Sequence, residues 1–148
     1  MLIKQIFASE AFEILKNDQN SILIDVRTIE EFKIIGIPDS SYFNSRMILL
    51  PWQSYYGQEF NPDFLSTLKE KLTAFFPNKT PENILELNLI FICKSGVRSY
   101  YASNYTANFG FKNCFNISDG FEGNSSKNLQ DIKVRNGWKT NNLPWRKQ

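Results

Sequence analysis

Hydrophobic residues in this 148-residue chain fall either in short continuous runs or at helical spacing. A run of about four to eight apolar residues is typical of a strand buried on both faces, while apolar residues three and four positions apart indicate a helix. Such strands are predicted at residues 22–26, 87–92 and 114–117, and residues 4–7 are consistent with a shorter one. Strands that alternate with helices in this way predict an α/β fold with a mainly parallel sheet.

Start and stop signals delimit the helices of the first half. The first helix is expected to have Ser9 as its N-cap and to run to about Lys16. Thr28 and Glu31 form a capping box, which predicts a second helix that Gly36 ends. The residues of this second helix that are expected to face inward are Ile29, Phe32 and Ile35.

Two more helices are predicted in the second half. Asn61, as N-cap, and Pro62, at the first helical position, predict a helix that ends before Pro77. One face of this helix is apolar and carries Phe64, Leu65, Leu68, Leu72 and Phe75. A later helix ends at Gly110 and has an aromatic stripe formed by Tyr101, Tyr105 and Phe109.

The remaining segments lack a clear period. Residues 42–60 are rich in aromatic side chains and are predicted to form an irregular insertion, and residues 120–148 a loop-rich tail. The insertion could line a groove for a partner, or simply pack on the domain, through Trp52, Tyr55, Tyr56 and Phe60. We expect one domain over residues 1–148.

Composition narrows the classes of partner and of chemistry. The net charge is only +2, which gives no reason to expect nucleic acid or an anionic membrane as partner. We find no signal peptide and no run of about 20 apolar residues, so the expected location is the cytoplasm. The chain has no histidine, which removes Ser-His-Asp and Cys-His mechanisms and nearly all catalytic zinc sites. We therefore expect no metal and no organic cofactor.

The candidate chemistry lies in a short loop between the 87–92 strand and the helix that follows. This order directs loop amides and the positive end of a helix at one sulfur, which favours a thiolate nucleophile. A glycine in the loop can adopt positive φ and let the backbone curl around that sulfur. The candidate nucleophile and the loop residues predicted to bind its substrate are Cys93, Lys94, Ser95, Gly96, Val97, Arg98 and Ser99.

Charged residues are expected to support this loop. Asp25, like Cys93, lies at the carboxyl end of a predicted strand, where parallel sheets bind their ligands, and is expected to hold the loop by hydrogen bonds. Arg98 could turn inward to an anion, but we favour a brace that bonds loop carbonyls or Asp25. Arg27 could pair with Glu31, four residues later, at little gain in stability.

The second cysteine has different surroundings. Cys114 alternates with polar residues in an apolar strand and has no glycine-rich loop or helix start beside it. We interpret it as a small buried core residue. A spacing of 20 residues between the two cysteines fits neither a disulfide framework nor a zinc site.

Together these segments resemble the bacterial single-domain rhodaneses, over most of the chain. The resemblance is carried by residues 24–27, 31–32, 93–99, 119–123 and 137–138. It implies a rhodanese-like three-layer fold, in which a mainly parallel sheet is flanked by helices. The chain departs from the family at Gly36-Ile37-Pro38-Asp39, where many members have Gly-His-Ile-Pro-Gly, a change that bears on substrate access rather than on sulfur chemistry.

The resemblance also implies a sulfurtransferase. Cys93 would attack a sulfane sulfur donor such as thiosulfate, release sulfite and hold a persulfide. A thiol or a protein would then accept the sulfur. Lys94 would favour anionic donors, and Asp25 and Arg27 would support the site.

Two other functions remain open from the sequence. Cysteine-dependent phosphatases and arsenate reductases have a related loop, but it is longer than the four residues that separate Cys93 from Arg98 here. The chain could also be a non-catalytic rhodanese-like module that binds or regulates a partner. The intact cysteine loop favours the enzyme over the module.

Overall fold

The computed structural model describes residues 3–53, 60–123 and 136–148. Its strands are β1 (Ile3–Ile6), β2 (Ser21–Asp25), β3 (Ile37–Pro38), β4 (Met47–Leu49), β5 (Asn88–Ile92), β6 (Asn113–Ile117) and β7 (Trp145–Arg146). Its α-helices are α1 (Ala8–Asn17), α2 (Ile29–Ile35), α3 (Phe64–Phe75), α4 (Pro81–Ile84) and α5 (Val97–Ala107). A 3-10 turn, Ser40–Phe43, precedes β4.

Five strands form one sheet in the order β1–β6–β5–β2–β4, and every neighbouring pair in it is parallel. This arrangement confirms the predicted fold class, a mainly parallel sheet flanked by helices. Asp25 is in register with Ile92, so the segments that follow β2 and β5 leave the sheet side by side. The short strands β3 and β7 form a separate antiparallel pair.

Side chains of the central strands alternate between two hydrophobic clusters, one on each face of the sheet. Ile22, Ile24 and Phe91 lie in the cluster that includes Leu68 and Leu72 of α3. Alternate strand residues and the α1 residues lie in the other cluster, whose members include Leu23, Ile90, Ile92, Ala11, Leu15, Phe43, Phe121 and Trp138. These faces give the three layers that the resemblance implied.

Two helix starts differ from the prediction. α1 begins at Ala8, not after Ser9, because the Ala8 N–H donates to the side chain of Asp119 at 2.9 Å. α3 begins at Phe64, since the Asn61 side chain instead accepts from the Asp63 N–H at 3.0 Å and forms a turn before the helix. The capping box of α2 is confirmed, with Thr28 and Glu31 as its two members.

The predicted inward face of α2 is partly wrong, and α5 buries a face that the sequence analysis did not identify. In α2, Phe32 is buried but Ile29 is 54% exposed. In α5, the aromatic stripe faces away from the sheet, and Tyr101 is 59% exposed. The buried face of α5 has small side chains, since they allow the helix to pack closely on β5 and β6; its members are Ser99, Ala102, Ser103, Thr106 and Ala107.

The segments predicted to be irregular contain regular structure. β4 lies within residues 42–60 and forms an edge of the sheet beside β2, but three residues are too few to show a period. The Trp52 ring lies 4.6 Å from that of Phe60 and 5.4 Å from that of Tyr105 of α5, which supports packing rather than an open groove. Tyr55 and Tyr56 lie outside the described residues, as do residues 124–135 of the predicted tail. The end of the tail contains β7.

Asp119 joins three distant segments. It is buried after β6, and its two carboxylate oxygens accept from different backbone amides, Ala8 at 2.9 Å and Gly137 at 2.8 Å. The same side chain therefore ties the start of α1 to the segment that precedes β7.

Within the described ranges, no helix combines the length and the apolarity that a membrane crossing requires.

We expect Asp119→Asn to lower the free energy of unfolding by about 1–3 kcal/mol, because the amide group must turn an N–H₂ toward one of the two buried donors. Urea unfolding at pH 7 measures this change. The matched control is Asp39→Asn, since only one oxygen of that exposed carboxylate accepts from Ser41 and an amide oxygen replaces it. Equal losses in both variants would contradict the assigned role of Asp119.

Candidate active site

Cys93 follows β5 directly, at the carboxyl edge of the sheet, and is only 1% exposed. Its Sγ accepts from the Gly96 N–H at 3.1 Å and from the Ser99 hydroxyl at 3.2 Å. α5 begins at Val97, so the sulfur lies in front of the positive end of an 11-residue helix. Both donors and the helix dipole interact favourably with negative charge on a sulfur at this position.

Two glycines allow the loop to take this shape. Gly96 has φ of 101°, and a Cβ there would collide with the carbonyl of Ser118. Gly120 has φ of 67°, and a Cβ there would collide with the carbonyl of Lys94. The loop after β5 and the segment after β6 therefore touch through their backbones, at a distance that only glycine permits.

Backbone hydrogen bonds join these two segments. The Phe121 N–H donates to the Cys93 carbonyl at 2.8 Å, and the Glu122 N–H donates to the Lys94 carbonyl at 3.0 Å. The Trp138 N–H donates in turn to the Gly120 carbonyl at 2.8 Å. Because these bonds use the carbonyls of the loop, its amides can face the sulfur.

Arg98 braces the loop through Glu31 of α2. Its two terminal nitrogens bond the two carboxylate oxygens of Glu31 at 2.6 and 3.0 Å, so the brace has a partner other than the predicted Asp25 or loop carbonyls. Burial opposes ionisation of Glu31, but the hydrogen bonds from Arg98 and Thr28 outweigh it and lower the pKa of Glu31 to about 2. The same carboxylate raises the pKa of Arg98.

Asp25 and Arg27 form a second, fully buried pair. Arg27 Nη2 donates to Asp25 at 2.7 Å and to the Gly36 carbonyl at 2.9 Å. Every side-chain hydrogen bond of Asp25 among the described residues comes from Arg27, so the expected bond from Asp25 to the Cys93 loop is wrong. The expected Arg27–Glu31 pair is wrong for the same reason. Burial raises the pKa of Asp25, against the opposing effect of Arg27.

The other loop residues take distinct positions. Lys94 and Val97 are exposed at the rim, Ser95 is half-buried, and Ser99 is buried beneath the sulfur-bearing loop. Cys114 lies in the core, where burial raises the pKa of its thiol to about 12. Among the described residues, no group of three or more histidine, cysteine or carboxylate side chains is arranged to bind a metal.

A cavity of about 330 Å³ opens beside the first turn of α2, at Thr28. Its lining is mainly apolar and includes the exposed side chain of Ile29. The other lining residues are Glu30, Pro51, Gln53, Asn61 and Pro62. The exposure of Ile29, which contradicts the sequence prediction, thus belongs to the wall of this cavity.

Sequence reasoning missed Asn116 and the roles of Glu31 and Asp119. Asn116 lies in β6, is 1% exposed, and donates through Nδ2 to the Gly96 carbonyl at 3.0 Å. A polar residue inside an apolar strand was the available signal, since such a side chain is seldom buried without a partner. Glu31 was assigned to capping alone, and the sequence gives no sign of its second partner 67 positions away.

Comparison with known proteins gives a matching family model and similar proteins in other organisms. The family model described as the STR4 middle domain matches residues 4–148. A Rickettsia prowazekii relative, "Uncharacterized protein RP600", is 43% identical over 146 residues and 98% of each chain. The Arabidopsis thaliana "Rhodanese-like domain-containing protein 17" is 36% identical over 70% of this chain and 58% of its own.

Two solved structures share the fold. The crystal structure of Rv0390 from M. tuberculosis superposes with a TM-score of 0.73 at 28% identity, over 98% of both chains. The polysulfide-sulfur transferase homodimer from Wolinella succinogenes gives a TM-score of 0.56 at 18% identity, over 99% of this chain and 80% of that one. The fold of the chain is therefore rhodanese-like.

We expect Glu31→Gln to lower the free energy of unfolding at pH 7 by about 1–2 kcal/mol, because it removes the ion pair with Arg98. The loss is moderate because the two side chains are 22–23% exposed, so that solvent partly screens their charges in the wild type. The folded-state pKa of Glu31 lies below its unfolded value of 4.5, so its contribution is complete above that value and is lost as the pH falls toward 2. Urea unfolding at pH 7 and pH 2.5 should show the gap between wild type and variant closing. A gap that stays constant, or an equal loss in the exposed control Glu86→Gln, would contradict this assignment.

Proposed function

The chain belongs to the STR4 middle-domain family, and we propose that it is a sulfurtransferase in which Cys93 carries the transferred sulfur as a persulfide. One observation carries the proposal: a single cysteine sulfur receives an N–H and an O–H donor at the start of α5. Fold likeness supports it further, since the Wolinella succinogenes protein is by its title a polysulfide-sulfur transferase. Fold likeness alone does not imply activity, whereas the donors around Cys93 are specific to a reactive sulfur.

The proposed reaction has two displacement steps. The Cys93 thiolate attacks the outer sulfur of thiosulfate, a new S–S bond forms, and the S–S bond of thiosulfate breaks, so that sulfite leaves with the bonding electron pair. A nucleophilic acceptor, either a thiolate or cyanide, then attacks the terminal sulfur of the persulfide. The second S–S bond breaks and returns the Cys93 thiolate, so no outside oxidant or reductant is needed.

Electrostatics replaces a general base in this scheme. The chain has no histidine to remove a proton, and the Gly96 and Ser99 donors would instead stabilise negative charge on the attacking sulfur. The same two donors would face the charged terminal sulfur of the persulfide, as an oxyanion hole faces developing charge. Lys94, exposed on the rim, would attract an anionic donor.

The brace at Arg98 favours sulfur transfer over phosphate chemistry. A phosphatase would need a free guanidinium to bind the phosphate oxygens, whereas both terminal nitrogens of Arg98 bond Glu31. The loop between Cys93 and Arg98 is also short, which suits one sulfur better than a tetrahedral oxyanion.

We expect the intact protein to gain the mass of one sulfur on incubation with thiosulfate, and to lose it when cyanide is added. Cys93→Ser should abolish the gain, because it removes the sulfur that accepts the transfer. Cys114→Ser is the matched control and should retain the gain, since burial keeps that thiol protonated.

Polysulfide serves as a second donor in the same experiment. No mass gain from either donor, in a folded protein whose Cys93 is reduced, would contradict the enzyme and leave the rhodanese-like binding module. A gain that persists in Cys93→Ser and disappears in Cys114→Ser would contradict the assignment of the nucleophile.

We expect Lys94→Gln to raise KM for thiosulfate about two- to fivefold with kcat unchanged, because an exposed lysine attracts the dianion without touching the reacting atoms. Steady-state kinetics at low and high salt measures this effect, which should shrink as salt screens the charge. Lys69→Gln, on the exposed side of α3, is the matched control and should behave as wild type. A change in kcat, or no dependence on salt, would contradict the role given to Lys94.

A further inference from the structure

The side chain of Asn116 is buried, and its nitrogen forms hydrogen bonds whereas its oxygen forms none among the described residues. Its Nδ2 donates to the Gly96 carbonyl at 3.0 Å and to Gln5 Oε1 at 2.8 Å. Its Oδ1 is buried and has no hydrogen-bond partner among the described residues. A buried acceptor without a partner is costly and rare in native proteins, so its presence calls for a reason.

The orientation of this amide follows from its partner. A backbone carbonyl can only accept, so the nitrogen of Asn116 must face Gly96 and the oxygen must face away. An apolar residue of the same size would avoid the unpartnered oxygen and would fill the same space. The fold therefore tolerates a cost at position 116 in order to keep one N–H group on the Gly96 carbonyl.

The Gly96 carbonyl belongs to the peptide that joins the loop to α5. It also accepts from the Tyr100 N–H at 3.3 Å, as the first carbonyl of a helix does, and so it points along the helix. The N–H on the opposite side of that peptide, which is that of Val97, therefore points back toward the loop. The preceding amide, Gly96 N–H, already reaches the sulfur at 3.1 Å.

Gly96 is held in this loop only by contacts of its backbone, because it has no side chain. It lies at φ of 101°. Asn116 supplies one of these contacts from the neighbouring strand, β6. Its position is rigid because β6 lies between β1 and β5 in the sheet.

We propose that Asn116 is a positioning residue, which holds the Gly96 carbonyl and thereby keeps the Gly96 amide directed at the sulfur of Cys93. In sulfur transfer the same amide would meet the terminal sulfur of the persulfide, and that part of the proposal rests on the proposed function. The part that concerns the thiol itself is independent of any donor or acceptor.

The test compares Asn116→Leu with Gln5→Leu, both made in a Cys114→Ser background so that only one thiol reacts. Asn116→Leu removes the donor to Gly96 together with the unpartnered oxygen, so the stability to urea should be close to that of its parent. Persulfide formation from thiosulfate should slow by at least about tenfold in kcat, with KM changed by less than about threefold. Gln5→Leu removes the other bond of the same nitrogen and should match its parent in both measurements.

A merely structural role predicts the reverse pattern, in which stability falls and the rate follows it in both variants. That result, or a rate in Asn116→Leu equal to that of the parent, would overturn the proposal. If Asn116→Leu does not fold, Asn116→Ala replaces it, because the smaller side chain cannot overpack the site, and the same loss in kcat is expected.

Alkylation of Cys93 by iodoacetamide separates this proposal from the proposed function. If the parent protein forms no persulfide, the sulfurtransferase assignment fails but the alkylation rate still reports how the amides hold the thiol. Asn116→Leu should then alkylate several-fold more slowly than the parent at pH 7, and Gln5→Leu should not. Equal alkylation rates in all three proteins would overturn the role of Asn116 whatever the outcome with thiosulfate.

Discussion

The close contact between the loop after β5 and the segment after β6 is the constraint on which the rest of the site depends. Parallel pairing brings the ends of these two strands together at one edge of the sheet, and each segment has a glycine where the other's carbonyl approaches. The N–H groups of Phe121 and Glu122 donate hydrogen bonds to the carbonyls of Cys93 and Lys94, respectively. Since a peptide group has its donor and acceptor on opposite sides, this pairing leaves the inner side of the loop lined with donors.

Two ion pairs at different depths surround this contact. Asp25 and Arg27 are fully buried and bond each other, while Glu31 and Arg98 lie nearer the surface and join α2 to α5. Each guanidinium is committed to a carboxylate, and the inner one also bonds the Gly36 carbonyl. The hydrogen bonds to the Cys93 sulfur come instead from the Gly96 amide and the Ser99 hydroxyl.

The sequence predicts those parts of the molecule that depend on neighbouring residues. The central strands, the capping box at Thr28 and the loop from Cys93 to Ser99 are all local patterns, and the structure has each of them. The start of α1 could not be predicted, because its first N–H donates to Asp119, 111 positions away. The pairing of β4 depends in the same way on which strands lie side by side, and the partner of Arg98 is 67 positions away on another helix. The buried face of α5 has no apolar period to mark it in the sequence, because close packing on the sheet selects small side chains there.

The small side chains on the buried face of α5 hold this helix closely against the sheet. Because Ala102 and Ser103 bring its backbone almost onto the sheet, no flexible side chain lies between them to absorb a change in size. One methyl group added at either position would tilt α5. Because α5 begins directly after the Cys93 loop, the tilt would displace the amides around Cys93. Misplacement of reacting groups by about 1 Å can cost about a hundredfold in rate. The size of the side chains on this face of α5 therefore bears on the geometry around Cys93, and one of them, Ser99, contacts the sulfur directly.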